Sequence, residues 1–151
     1  MPQSLVKNVV HLVYSTKNRA IWLPPEIRDA LYGYQAGIYK NLHSPALIIG
    51  GTEDHVHALF LLSKNHPLSD VVQAVKKDSS KWMKTAQGTG NRDFQWQRGY
   101  AGFSVSQSNI EDVKRYIQNQ VEHHRKMSFQ DELRIMFRQH GIDFDERYVW
   151  D

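Results

Sequence analysis

Two rhythms of hydrophobic and polar positions run along this chain, and their order predicts its elements. Residues 5 to 15, LVKNVVHLVYS, are rich in β-branched side chains and apolar on both faces, as a central strand should be. Pro24 and Pro25 then open a helix in which Ile27, Leu31, Tyr34, Ile38 and Leu42 recur at helical spacing. After Pro45, ALIIGGTEDHVHALFLLS reads as two strands joined by a turn from Gly50 to Asp54. Pro67 starts a second helix. Leu68, Val71, Val72, Val75, Trp82 and Met83 give it an apolar face, and Lys76, Lys77, Lys81 and Lys84 stud the remainder.

Residues 85 to 102 form a glycine-rich connection without a clear period, in which Phe94 to Trp96 suggest a short extended piece. GFSVS, 102 to 106, reads as the last strand. Ser108 or Asn109 is placed to cap a third long helix, NIEDVKRYIQNQVEHHRK, and a shorter helix from about 128 to 139 is stopped by Gly141. The order β-α-β-β-α-β-α predicts an α+β fold: an antiparallel sheet with helices mainly on one face, ferredoxin-like or RRM-like. That layout leaves the other sheet face for a site. There is no repeat or linker, so residues 1–151 read as one domain, with a core over about 5–127 and a C-terminal helix and tail over 128–151.

Composition adds limits. Forty per cent of residues are hydrophobic, enough for a core without staples, and the chain has no cysteine. Disulfides, thiolate nucleophiles and cysteine-bound zinc are thereby excluded, and a cytoplasmic setting fits. The N-terminus lacks the marks of a secretory signal, and no apolar run suits a membrane span. The net charge of +3 points only weakly to a polyanionic partner. Eight histidines, four tryptophans and seven tyrosines point further, because aromatic and cationic groups together suit bases and phosphates.

Candidate chemistry begins with HVHALFLL, residues 55 to 62. Alternation along a strand puts His55, His57, Leu59 and Leu61 on one face, so the two imidazoles point the same way at a spacing that suits one metal ion. A hydrogen-bonded or solvent-facing pair at a strand edge has the same pattern. A third ligand must come from elsewhere, with Glu53 and Asp54 as nearby contributors or supports. In the third helix, Ile110, Val113, Ile117 and Val121 form the expected core stripe, and Tyr116, Gln120 and His123 form a polar stripe beside it. A boundary aromatic and a surface amide would look alike. A free phenol, with a pKa of about 10, is a poor nucleophile at neutral pH. A divalent ion that polarises a phosphodiester makes its attack feasible, and two imidazoles with an amide oxygen leave coordination positions open for phosphate and water.

These blocks resemble the small single-tyrosine HUH transposases of the shortest bacterial insertion sequences and their repeat-associated relatives. GTEDHVHALFLL fits the His-hydrophobic-His motif in place. HLVYSTKNR, FQWQRGYAGFSVS, VKRYIQNQVEHH and GIDFDERYVW are similar to family blocks, in the family's order, over nearly the whole chain. The resemblance implies His55 and His57 as metal ligands, Gln120 as the third ligand, Tyr116 as nucleophile, and Mg²⁺ or Mn²⁺ as cofactor. It further implies single-stranded DNA with hairpins as substrate, a 5′-phosphotyrosine intermediate, and a homodimer whose subunits can share active sites.

Arg98, Tyr100, His123, Lys76 and Lys77 are candidate DNA contacts, although loop structure and a solvated helix face explain most of them as well. Two other functions fit the residues: a non-catalytic RRM-like module for single strands, and a metal-dependent hydrolase that uses water.

Overall fold

The computed structural model describes residues 2–151. Strands β1 (Asn8–Ser15), β2 (Ala46–Gly51), β3 (His55–Leu62) and β4 (Ala101–Ser104) form an antiparallel sheet in the order β2-β3-β1-β4. Helix α1 (Pro25–Asn41) connects β1 to β2, and α2 (Leu68–Met83) connects β3 to β4. Helices α3 (Ile110–Gln118), α4 (Gln120–His123) and α5 (Phe129–Gln139) follow. This is the α+β architecture expected from the hydrophobic pattern.

The register explains why β1 is apolar on both sides. Val10, Leu12 and Tyr14 join Val56, Ala58 and Phe60 beneath α1 and α2. On the other face, Val9, His11 and Val13 lie beside Leu61, Leu59 and His57. The two long helices take one face as anticipated. The face expected to lie open is instead roofed by the three short helices: Ile110 and Ile117 pack on Val9 and Leu59, and Phe129, Leu133, Met136 and Phe137 pack on Val13, Ala101 and Phe103. Burying each of the large apolar side chains among these contributes about 1.5–3 kcal/mol.

Several local expectations change. β1 begins at Asn8, not residue 5, and β4 covers Ala101–Ser104 rather than 102 to 106. Phe94 to Trp96 forms no strand; Trp96 makes one isolated bridge to Thr16. The third helix does not run unbroken. A 3-10 turn (Gln107–Asn109) precedes it without a side-chain cap from Asn109, and Asn119, at φ −98° and ψ 19°, separates α3 from α4. This break has a packing consequence. Val121, expected in the core stripe, is 50% exposed, and Gln120 takes the buried position instead. Ser128 caps α5 by accepting from the Asp131 N–H at 3.1 Å, and Gly141, at φ +65°, follows its end where a left-handed residue is needed.

Candidate active site

Strand alternation places His55 and His57 on one face of β3, both fully buried. Each is held by its other ring nitrogen. His55 Nδ1 lies 2.7 Å from Asp54 Oδ1 and 2.9 Å from Thr52 Oγ1. The Asp54 carboxylate therefore accepts from the Nδ1–H, and the Nε2 lone pair faces inward. His57 Nδ1 lies 2.8 Å from Nε2 of His11, which stands on β1 one strand away. Of the two acidic neighbours considered from the sequence, Asp54 supports His55, whereas the Glu53 side chain pairs loosely with Arg28 at 4.0 Å.

The helical roof closes over these rings. Gln120, buried by the turn at Asn119, brings Oε1 to 3.0 Å from His55 Nε2. Glu132 on α5 comes in from the opposite side and is 2% exposed. Its Oε1 lies 3.1 Å from His57 Nε2, 3.2 Å from His124 Nε2 and 3.7 Å from His55 Nε2. Its Oε2 accepts from Gln120 Nε2 at 3.0 Å and from the Tyr116 hydroxyl. Tyr116 also approaches His123 Nε2, at 3.4 Å. Side chains from β3, α3, α4 and the turn after α4 thus converge on one carboxylate of α5.

Charge follows from this crowding. Burial works to raise the Glu132 pKa, but the close approach of His124, with hydrogen bonds from His57 and Tyr116, outweighs it and holds the group ionised. Burial lowers His57 to about 4 and His11 to about 3, so both are neutral at pH 7. Burial and then the neighbouring Glu132 charge push the Tyr116 phenol well above its ordinary value. For His124, burial opposes protonation and the Glu132 carboxylate more than offsets it, so its pKa is raised.

The donor set fits a divalent metal. Ligand atoms of His55, His57, His124 and Glu132 all lie within 4.8 Å of one another. His124 Nε2, off the line of a hydrogen bond to Glu132, is a buried ring nitrogen without a hydrogen-bond partner among the described residues. Beside the cluster, a cleft of about 530 Å³ is lined by Tyr116, His123, Glu132, Asp112, Ile135 and Met127, among others.

Glu132, His124 and His11 were not assigned from the sequence. Glu132 had a signal: Phe129, Leu133, Met136 and Phe137 make the buried stripe of α5, and a carboxylate lies within that stripe. His11 carried a similar one, as a polar residue inside an otherwise apolar central strand.

The candidate DNA contacts divide. Lys77, Arg98 and Tyr100 lie exposed along a second groove, between α2 and the loop before β4. Lys76 does not extend outward. Its ammonium donates to the carbonyls of Gln97 at 2.8 Å and of Gly99, and lies 5.1 Å from the Tyr14 ring centroid. Burial lowers its pKa to about 8. It holds the loop rather than meeting solvent. His123 lies on the cleft beside Tyr116. Among the described residues, no helix is long and apolar enough to cross a membrane.

Comparison with known proteins gives these elements a context. Residues 4–120 match the family described as "Transposase IS200 like". The fold is similar to that of a candidate transposase from Deinococcus radiodurans R1, 24% identical, with a TM-score of 0.59 over 80% of this chain and 95% of the other. It is also similar to a REP-associated tyrosine transposase bound to a REP hairpin, 14% identical, with a TM-score of 0.55 over 82% of this chain and 73% of the other. No curated protein matches the chain.

Proposed function

This chain belongs to the IS200-like transposase family, and we propose that it is a metal-dependent nuclease and strand transferase for single-stranded DNA, with Tyr116 as nucleophile. The observation that carries this reading is the meeting of the Tyr116 hydroxyl with the buried His55–His57 pair through one carboxylate. A structural tyrosine needs no such neighbours.

In this reading His55 and His57 are metal ligands, with Gln120 Oε1 beside them. A bound divalent ion supplies charge stabilisation for the phosphate under attack. The chain's own groups do the rest. Tyr116 Oη bonds to the scissile phosphorus and the bond from phosphorus to the 3′ oxygen breaks. The phenolic proton passes toward Glu132 Oε2, its hydrogen-bond acceptor, and a proton from solvent reaches the departing 3′ oxygen, which leaves as a hydroxyl. The product is a 5′-phosphotyrosine ester. Attack of a 3′-hydroxyl on that ester rejoins the strand and releases the phenol, with no net loss of phosphodiester bonds. The raised Tyr116 pKa keeps the phenol protonated until substrate and metal are in place.

Substrate and partner follow the same reading. Hairpin-bearing single-stranded DNA is the proposed ligand, consistent with the REP hairpin bound by one structural neighbour. Lys77, Arg98 and Tyr100 offer cations and an aromatic face along the second groove. Tyr116 reaches the histidine pair of its own chain through Glu132, an arrangement compatible with a tyrosine that acts in cis. A homodimer is proposed on the family resemblance alone.

The test incubates labelled single-stranded hairpin DNA with protein and Mn²⁺ or Mg²⁺, followed by denaturing gels. A covalent protein–DNA adduct that disappears in Tyr116→Phe is expected. Cleavage that persists in Tyr116→Phe would replace this reading with a water-using hydrolase. Binding without cleavage would leave a single-strand-binding module.

A further inference from the structure

We infer that His124 and Glu132 complete the metal-ligand set with His55 and His57, and that the site takes a transition-metal ion, of the Mn²⁺ or Zn²⁺ class, in preference to Mg²⁺. This rests on the metal-dependent reading above and changes what that site selects. Both added residues lie beyond the segment that matches the family, which ends at residue 120.

Geometry carries the first part. Around an ion with ligand distances of roughly 2.0–2.2 Å, neighbouring ligand atoms stand roughly 3–3.5 Å apart. Glu132 Oε1 lies 3.1, 3.2 and 3.7 Å from the Nε2 atoms of His57, His124 and His55. All three imidazoles turn Nε2 toward the same carboxylate oxygen.

Hydrogen-bond accounting carries the second part. Asp54 and Thr52 engage His55 Nδ1, so a lone pair on His55 Nε2 faces Gln120 Oε1 at 3.0 Å and Glu132 Oε1 at 3.7 Å. Three acceptors facing one another repel unless a cation lies among them. Turning the Gln120 amide over does not help, because its oxygen would then face Glu132 Oε2, to which its nitrogen now donates at 3.0 Å. The Nε2 of His124 has no hydrogen-bond partner among the described residues.

Charge carries the third. Glu132 is buried, and among the described residues no lysine or arginine pairs with it. A buried carboxylate without a permanent cation is costly, and a metal ion removes that cost. Selectivity then follows from the ligand atoms. Imidazoles suit Zn²⁺ and similar transition-metal ions, and Mn²⁺, a first-row ion that also takes the carboxylate, tolerates them better than Mg²⁺, which prefers oxygen ligands and retained water.

The experiment uses the full chain, stripped of metal by chelation and free of DNA. Mn²⁺ is titrated by calorimetry and by loss of its free-ion EPR signal. One equivalent should bind, and a hundredfold excess of Mg²⁺ should not displace it. Glu132→Gln and His124→Ala should each weaken Mn²⁺ binding at least tenfold. Wild-type affinity in both variants, or displacement by equimolar Mg²⁺, would overturn the inference. Because a change at Glu132 can unfold the chain, Zn²⁺ is also added to wild-type protein labelled for histidine ¹⁵N NMR. The ring signals of His124 should move with those of His55 and His57, while exposed His43 stays in place. An unmoved His124 rejects the ligand set whatever the variants do. A Tyr116-dependent adduct with unchanged metal binding in the variants would sink this inference and spare the transposase reading. Metal held by all four residues without any adduct would do the reverse.

Discussion

The Tyr116 hydroxyl donates to Glu132 Oε2 while the other oxygen of the same carboxylate faces His57 Nε2 at 3.1 Å. One side chain on α5 therefore couples the proposed nucleophile on α3 to the histidine pair on β3. The two ends of this contact are unequal. Tyr116 is half-buried with one polar atom, whereas Glu132 is buried and has six polar neighbours, and their variants should behave differently.

Tyr116→Phe should cost only about 1 kcal/mol of stability, because Gln120 still donates to Glu132 Oε2, yet it should abolish the covalent adduct. Glu132→Ala should cost about 3–5 kcal/mol, since it strands imidazoles and an amide in a buried site. Urea unfolding in chelator measures both. Equal losses would mean that the carboxylate is not the hub.

The His11–His57 contact predicts a pH dependence. Burial lowers the His11 pKa from 6.5 in the unfolded chain to about 3 in the fold. Between those values the unfolded state binds a proton that the folded state refuses, so stability is complete above pH 6.5 and falls as pH drops toward 3. At about 1.36 kcal/mol per pH unit, the His11 share of the loss from pH 7 to pH 5 is about 2 kcal/mol. His11→Asn should flatten the wild-type stability profile by that amount in metal-free urea titrations. An unchanged slope would assign the acid sensitivity to other groups.

Gly50 is a close-approach position. A Cβ there would stand 2.8 Å from the Ile117 carbonyl oxygen and 2.9 Å from its Cγ2, so α3 would have to lift from β2. Gly50→Ala should destabilise by about 1–3 kcal/mol and slow adduct formation, because Tyr116 sits beside Ile117. Mn²⁺ affinity should change little, since the metal-facing residues lie on other elements. The comparison of adduct rate with calorimetric affinity separates the two effects.

The lysines of α2 should part company. Lys76→Ala removes the donor shared by the carbonyls of Gln97 and Gly99 and should lower stability by about 1–3 kcal/mol, with faster amide exchange at 97–100. Lys77→Ala and Arg98→Ala should leave the melting temperature unchanged, weaken hairpin binding, and reduce its salt dependence by about one phosphate contact each. Fluorescence anisotropy across a salt series reads the slope. Unaltered hairpin affinity in both would remove the second groove from the DNA path.

Much of the fold was legible because its determinants are local. Prolines at 24, 25 and 67, a 3.6-residue period in α1 and α2, and alternation through HVHALFLL set the element order and placed His55 and His57 on one face. The Tyr116–Gln120 spacing likewise brought the proposed nucleophile and an amide together. What failed was local in position but tertiary in cause. The turn at Asn119 exposes Val121 and buries Gln120 because the chain must bend over the histidines there, and a period read along a continuous helix cannot anticipate that bend.

By itself, then, the sequence determined the architecture and put His55 and His57 on one strand face, since strand and helix periodicities follow from backbone geometry and neighbouring residues. Only the tertiary structure decided how the site is closed. Glu132 lies 75 residues from His57 along the chain, and His11 lies 46 residues from it on the other side. No periodicity spans such distances. Their convergence depends on sheet register and on how α5 seats its apolar stripe against β1 and β4, which turns a histidine pair into a buried, carboxylate-centred site.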